Sequence, residues 1–100
     1  MTTAAKNAQK LLKLFGPKGE HWVKNWYAVD KTGESVMPRS RKAVKWCLDG
    51  ACQKHKIDIG FLYDGLKKRG YGKGPINFND EQKRFTPIKK LLVDIAKEGS

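Results

Sequence analysis

Two stretches of apolar residues at helical spacing, one at each end of the chain, frame everything between them. Ala4, Ala5, Ala8, Leu11, Leu12 and Phe15 fall on one stripe of about 120° around a helix over residues 3–15. Lys6, Lys10 and Lys13 take the opposite face, and no acidic residue occurs before Glu20 to neutralise them. Thr3 is the candidate cap and Gly16-Pro17 the stop. Near the other end, Thr86-Pro87 pairs a capping hydroxyl with a proline at the first helical position. Ile88, Leu91, Leu92 and Ile95 then supply a narrow apolar stripe that closes at Gly99.

Between these ends the pattern changes twice. Trp22, Val23, Trp26, Tyr27, Val29 and Val36 are β-favouring types. With the turn signal Asp30-Lys31-Thr32-Gly33 they predict a short hairpin, strands near 26–30 and 34–37, ended by Pro38. Two strands alone are marginal, so this hairpin must lean on helices. Helical spacing returns over 41–55, where Ala43, Val44, Cys47, Leu48 and Ala51 form a buried face behind a Ser40 cap. Lys45 and Asp49 would pair across one turn of that helix. Gly50 is a penalty in a helix interior and suggests close packing against another backbone. Asp58 caps a third helix over 59–69, with Ile59, Leu62 and Leu66 inward, and residues 70–80 read as a loop. The expected architecture is therefore α+β: about four helices with one short β-hairpin, in a single domain over 1–100 with residues 1–2 and 99–100 frayed.

Three segments together resemble a family of small bacterial and phage domains. They are the aromatic opening from Trp22 to Tyr27 with Ala28, Asp30 and Gly33; the run from Ala43 to Ala51; and Phe78-Asn79-Asp80 followed by Arg84, Thr86 and a closing amphipathic helix. That family carries a Trp-Cys-Leu-x-Gly-Ala helix and a Trp-Asn-Asp loop, and the resemblance spans roughly residues 20–97. Phe78 stands where the family usually has Trp, which keeps an aromatic wedge and loses an indole donor. The resemblance implies a shared fold and brings no chemistry with it.

Charge is the strongest functional signal. Twenty-one Lys and Arg face ten Asp and Glu, a net +11 that draws polyanions. The residues fall into three clusters: Lys6, Lys10 and Lys13; Arg39, Arg41, Lys42 and Lys45; and the glycine-rich run holding Lys67, Lys68, Arg69, Tyr71 and Lys73. The last lacks the order of a nucleotide-binding loop but resembles a flexible basic segment with one aromatic for base stacking. The candidate nucleic-acid contacts are Arg39, Arg41, Lys42, Lys67, Lys68, Arg69, Tyr71 and Lys73. If the clusters share one face they make a binding patch, and if they scatter they make a solubility coat.

Enzyme chemistry finds no support. Cys47 and Cys52, five residues apart, diverge by about 140° on a helix and read as two small buried hydrophobes. With His55 and His21 they lack zinc-site spacing. Asn77, Asn79 and Asp80 read as turn-shaping residues rather than a catalytic group. No cofactor, metal or catalytic residue is expected. The expected function is nucleic-acid binding through phosphates, with DNA or RNA as partner; the alternative is a phage-type modulator of an acidic host protein. No apolar run approaches the roughly 18 residues of a membrane span, and residues 1–10 lack a signal-peptide core. The expected location is the cytoplasm.

Overall fold

The structure, a computed structural model, describes all residues 1–100. Five helices and a pair of two-residue strands follow in the order α1 (Thr3–Phe15), β1 (Ala28–Val29), β2 (Lys45–Trp46), α2 (Leu48–His55), α3 (Gly60–Lys68), α4 (Pro75–Glu81) and α5 (Thr86–Glu98). The class is α+β, with one helix more than the sequence suggests.

The two end helices form the backbone of the core. α1 buries Ala5, Ala8, Leu11 and Phe15, and α5 buries Ile88, Leu91, Leu92 and Ile95. They run antiparallel. The rings of Phe15 at the end of α1 and Phe85 at the start of α5 meet edge-on at 5.6 Å. At the opposite end, the Thr2 N–H donates to the Gly99 carbonyl at 2.8 Å. The Thr2 N–H and the Gly99 carbonyl thus satisfy each other. The caps shift. Thr2, not Thr3, accepts the Ala5 N–H, at 3.0 Å. Thr86 is already helical, so its hydroxyl caps nothing, while Pro87 keeps its place in the first turn.

The larger correction concerns residues 41–47. Residues 41–42 complete a turn and 43–47 continue without helix into the strand, so α2 begins only at Leu48, with Cys47 as its cap: the Cys47 Sγ accepts the Gly50 N–H at 3.3 Å. Trp46 is the reason. Its N–H donates to the His21 carbonyl and its carbonyl accepts the Val23 N–H, while Ala28 pairs with it on the other side. The central line of this minimal sheet is therefore Lys45–Trp46, flanked by residues 21–23 and 27–29. The antiparallel partner of β1 is 45–46, and the expected strand at 34–37 contributes one bridge, Val29 to Ser35, beyond the Asp30 turn. Lys45 is accordingly not one helical turn from Asp49, whose carboxylate takes the Gln53 amide instead.

Two close approaches lock this sheet to the helices. Gly50 in α2 abuts the backbone of Tyr27, and a Cβ there would run into the Tyr27 carbonyl oxygen. Residues 70–80, expected as loop, contain α4, started by Pro75 at its first position. α4 delivers Asn79, the one fully buried polar side chain, into the junction of the sheet and α2. Asn79 Oδ1 accepts from the Trp22 indole at 2.7 Å and from the Leu48 N–H at 3.0 Å. Its Nδ2 donates to the Val23 carbonyl at 3.1 Å and to Asp80 Oδ1 at 3.1 Å. Every hydrogen-bonding position of the amide that the interior can reach is used, and a fully satisfied buried network rigidifies what it joins.

Candidate functional site

The largest cavity of the molecule, about 710 Å³, is an open groove where α1 meets the 43–46 segment. α1 supplies Lys10, Lys13 and Leu14; the extended segment supplies Ala43, Val44 and Trp46; His21 and His55 complete the lining. The floor is apolar, the rim is basic or imidazole, and no carboxylate lines it. The fold dictates this arrangement. Leu14 and Lys13 sit at the edge of the α1 apolar stripe, and Trp46 is held flat by its indole N–H, which donates to the Pro38 carbonyl at 2.8 Å.

The two histidines are placed differently. His21 Nδ1 lies 2.9 Å from the Val44 carbonyl. A carbonyl only accepts, so the proton sits on Nδ1 and Nε2 is the ring atom left for a ligand. His55 closes α2 beside Lys54, whose ammonium stands 5.2 Å over the Trp46 ring. Partial desolvation, then the charges of Lys54 and Lys10, hold His55 below the ordinary imidazole value. The groove is therefore short of negative charge in its resting state, and an anion entering it would relieve repulsion.

Arg41 and Lys42 immediately precede the groove wall and are exposed, as is Arg39. Lys10 and Lys13 of the first basic cluster line the groove, whereas no residue of the second does: Arg39, Arg41 and Lys42 only adjoin its wall along the chain, and Lys45 lines another cavity. The third does not join them and is largely engaged with carboxylates. Arg69 donates to the Gly65 carbonyl at 2.7 Å and to Glu98 at 2.8 Å. Lys73 bridges to Glu81 at 3.1 Å. Tyr71, read as a free stacker, packs edge-on against Phe78 at 5.2 Å and donates its hydroxyl to Glu81 at 2.6 Å. Partial desolvation, then that bond, pushes its phenol up to about 12. The flexible basic loop is corrected to a tied-down surface because α4 brings Glu81 beneath it. Only Lys67 and Lys68 of that cluster remain exposed without an ion pair.

Sequence reasoning named Lys10 and Lys13 only as a cluster, and weighed the histidines as metal ligands or, for His55, as a cation favoured at a helix C-terminus. The available signal was the pairing of an α1 face without acids and the chain's only two histidines. The cysteines are buried and unbridged. Burial pushes the Cys47 thiol up to about 11 and the Cys52 thiol up to about 12, far from a reactive thiolate. No group of three metal-ligating side chains comes together. No helix is long and apolar enough to cross a membrane. Compared with known proteins, the chain matches no family model, no curated protein and no solved structure.

Proposed function

We propose that this chain is a nucleic-acid-binding accessory domain, without catalysis, that grips phosphates along the Lys10–Lys13–His21–His55 groove and the adjoining Arg39–Lys42 turn. The observation that carries the reading is the composition of the groove: two lysines and two imidazoles over an apolar floor, with no carboxylate. Phosphate contacts supply most of the affinity of such surfaces and make it salt-dependent. Lys67 and Lys68 add a peripheral contact; Arg69, Tyr71 and Lys73 are committed within the fold. The setting that suits this function is the cytoplasm of a bacterial or phage-infected cell, in keeping with the family resemblance. The three segments that carry that resemblance meet at Asn79, which supports reading them as one structural signature.

The test is an anisotropy titration of labelled single-stranded and duplex oligonucleotides across a salt series. Affinity should fall linearly on log–log axes, and the Lys10→Glu/Lys13→Glu pair should weaken it about tenfold or more at low salt. A Lys67→Glu/Lys68→Glu pair should cost less. Absence of binding to either form at about 50 mM salt overturns the proposal. Groove-dependent capture of one acidic protein after nuclease treatment would transfer the same surface to an acidic protein partner.

A further inference from the structure

A second cavity, about 410 Å³, opens on another part of the surface, lined by Asn25, Trp26, Tyr27, Ser35, Cys47, Ile76 and Asp80. In a chain of net charge +11, the other four sizeable cavities each have lysine or arginine in their walls; this one has none. Its only charged group is a carboxylate. Its rim is aromatic: Trp26 is 54% exposed and Tyr27 49%.

That exposure is enforced. Asn25 holds φ at 72°, in the left-handed region that residues other than glycine rarely adopt. The Asp80 carboxylate secures it, Oδ1 accepting the Asn25 N–H at 2.8 Å. The reversal lets Trp22 turn inward to Asn79 while Trp26 faces solvent. Tyr27 is seated by its carbonyl, which accepts the Cys47 N–H beside Gly50. Ile76 and Asp80 lie one turn apart on α4 and so share a face. Asp80 makes no salt bridge, and both bonds it accepts fall on Oδ1, leaving Oδ2 to a ligand. Two aromatics and a carboxylate converging on one cavity are the few placed groups that a binding site needs.

We propose that this cavity is a binding site for a cationic side chain, the ammonium or guanidinium of a lysine or arginine presented by a partner peptide. Trp26 and Tyr27 provide the aromatic faces that attract a cation, Asp80 Oδ2 provides the counter-charge, and Ile76 packs the aliphatic stem. The chain's overall positive charge does not prevent this. At physiological salt its field is screened beyond about 8 Å, so the local carboxylate and rings decide. The site is separate from the phosphate groove and stands whether or not nucleic acid binds there.

The test is an NMR titration of the full chain with three blocked tripeptides, Gly-Lys-Gly, Gly-Arg-Gly and Gly-norleucine-Gly. The lysine and arginine peptides should move the Trp26 indole and Ile76 methyl resonances, leaving the Trp22 and Trp46 indoles in place. The norleucine peptide, equal in stem and lacking charge, should bind at least about fivefold more weakly. Asp80→Asn, whose amide oxygen still accepts the Asn25 N–H, should weaken the lysine peptide about fivefold or more, as should Trp26→Leu. Equal binding of the norleucine peptide overturns the proposal, and that comparison needs no variant to fold. So does the absence of any shift at Trp26 up to about 10 mM peptide. Shifts of the same resonances on simple dilution of the protein would assign the pocket to a second copy of this chain and likewise overturn it.

Discussion

The indole N–H of Trp22 donates to Asn79 Oδ1 at 2.7 Å, joining residues 57 positions apart in the chain. The same oxygen receives the first N–H of α2, from Leu48. One amide thus fixes an aromatic loop, a helix start and α4 with respect to one another.

Asn79→Ala should therefore be among the most damaging single changes. It removes the partner of the Trp22 indole, the Leu48 N–H and the Val23 carbonyl, the Leu48 bond being fully buried and the other two partly so. Each unsatisfied buried group costs about 1–3 kcal/mol. The expected loss is about 3 kcal/mol or more, read as a fall in the denaturant midpoint. A loss below about 1 kcal/mol would mean that the junction relaxes around the deletion.

Gly50→Ala separates two opposing effects by sign. Helix propensity alone favours alanine by up to about 1 kcal/mol. The added methyl, however, would occupy the position of the Tyr27 carbonyl oxygen, which is backbone and cannot swing aside. Overpacking should win, with destabilisation of about 2 kcal/mol or more by urea unfolding. An unchanged or higher midpoint would show that α2 stands further from Tyr27.

Oligonucleotide affinity should rise on acidification through the imidazole range. His55 titrates below its ordinary value of 6.5 because of partial desolvation and then Lys54 and Lys10. A phosphate in the groove favours the charged ring, so binding takes up a proton and strengthens as pH falls. Affinity at pH 5.5 should exceed that at pH 7.5 by about threefold to tenfold, and His55→Gln should flatten the dependence. For the unbound protein the sign is opposite. A depressed His55 favours the folded state above the unfolded value, and that contribution fades as pH drops through the same range.

Both thiols should be silent towards a thiol reagent at pH 8 in the native protein. Their pKa values, raised by burial to about 11 and about 12, leave almost no thiolate. Labelling should proceed only as fast as the domain opens and become immediate in urea. Rapid labelling of one cysteine in native buffer would reveal a local opening of the α2 start.

The end helices were legible because their stripes follow one period and their stop signals are strong. α4 was not, since Pro75 to Glu81 holds few apolar residues and its Asn and Asp side chains read as turn formers. Their actual task, satisfying backbone groups of distant segments, has no local signature. Residues 41–47 fitted a helical period by coincidence, as Ala43 and Cys47 are buried outside any helix as well. Only the pairing of Trp46 with both 21–23 and 28 decides the matter, and pairing partners are invisible to a local pattern. The groove suffered similarly. Its lysines and histidines come from positions 10, 13, 21 and 55, which charge counting along the chain keeps apart. The third cluster looked free because its carboxylates, Glu81 and Glu98, arrive from other helices.

The bond from Thr2 to Gly99 makes the chain path almost a closed ring. A ring has no privileged starting point. The order in which α1 to α5 are threaded matters less to the finished core than their neighbours do, because the link from α5 back to α1 is already as short as any loop within the domain. Anything attached before residue 1 or after residue 100 must emerge from one shared corner, beside Lys68 and Glu98.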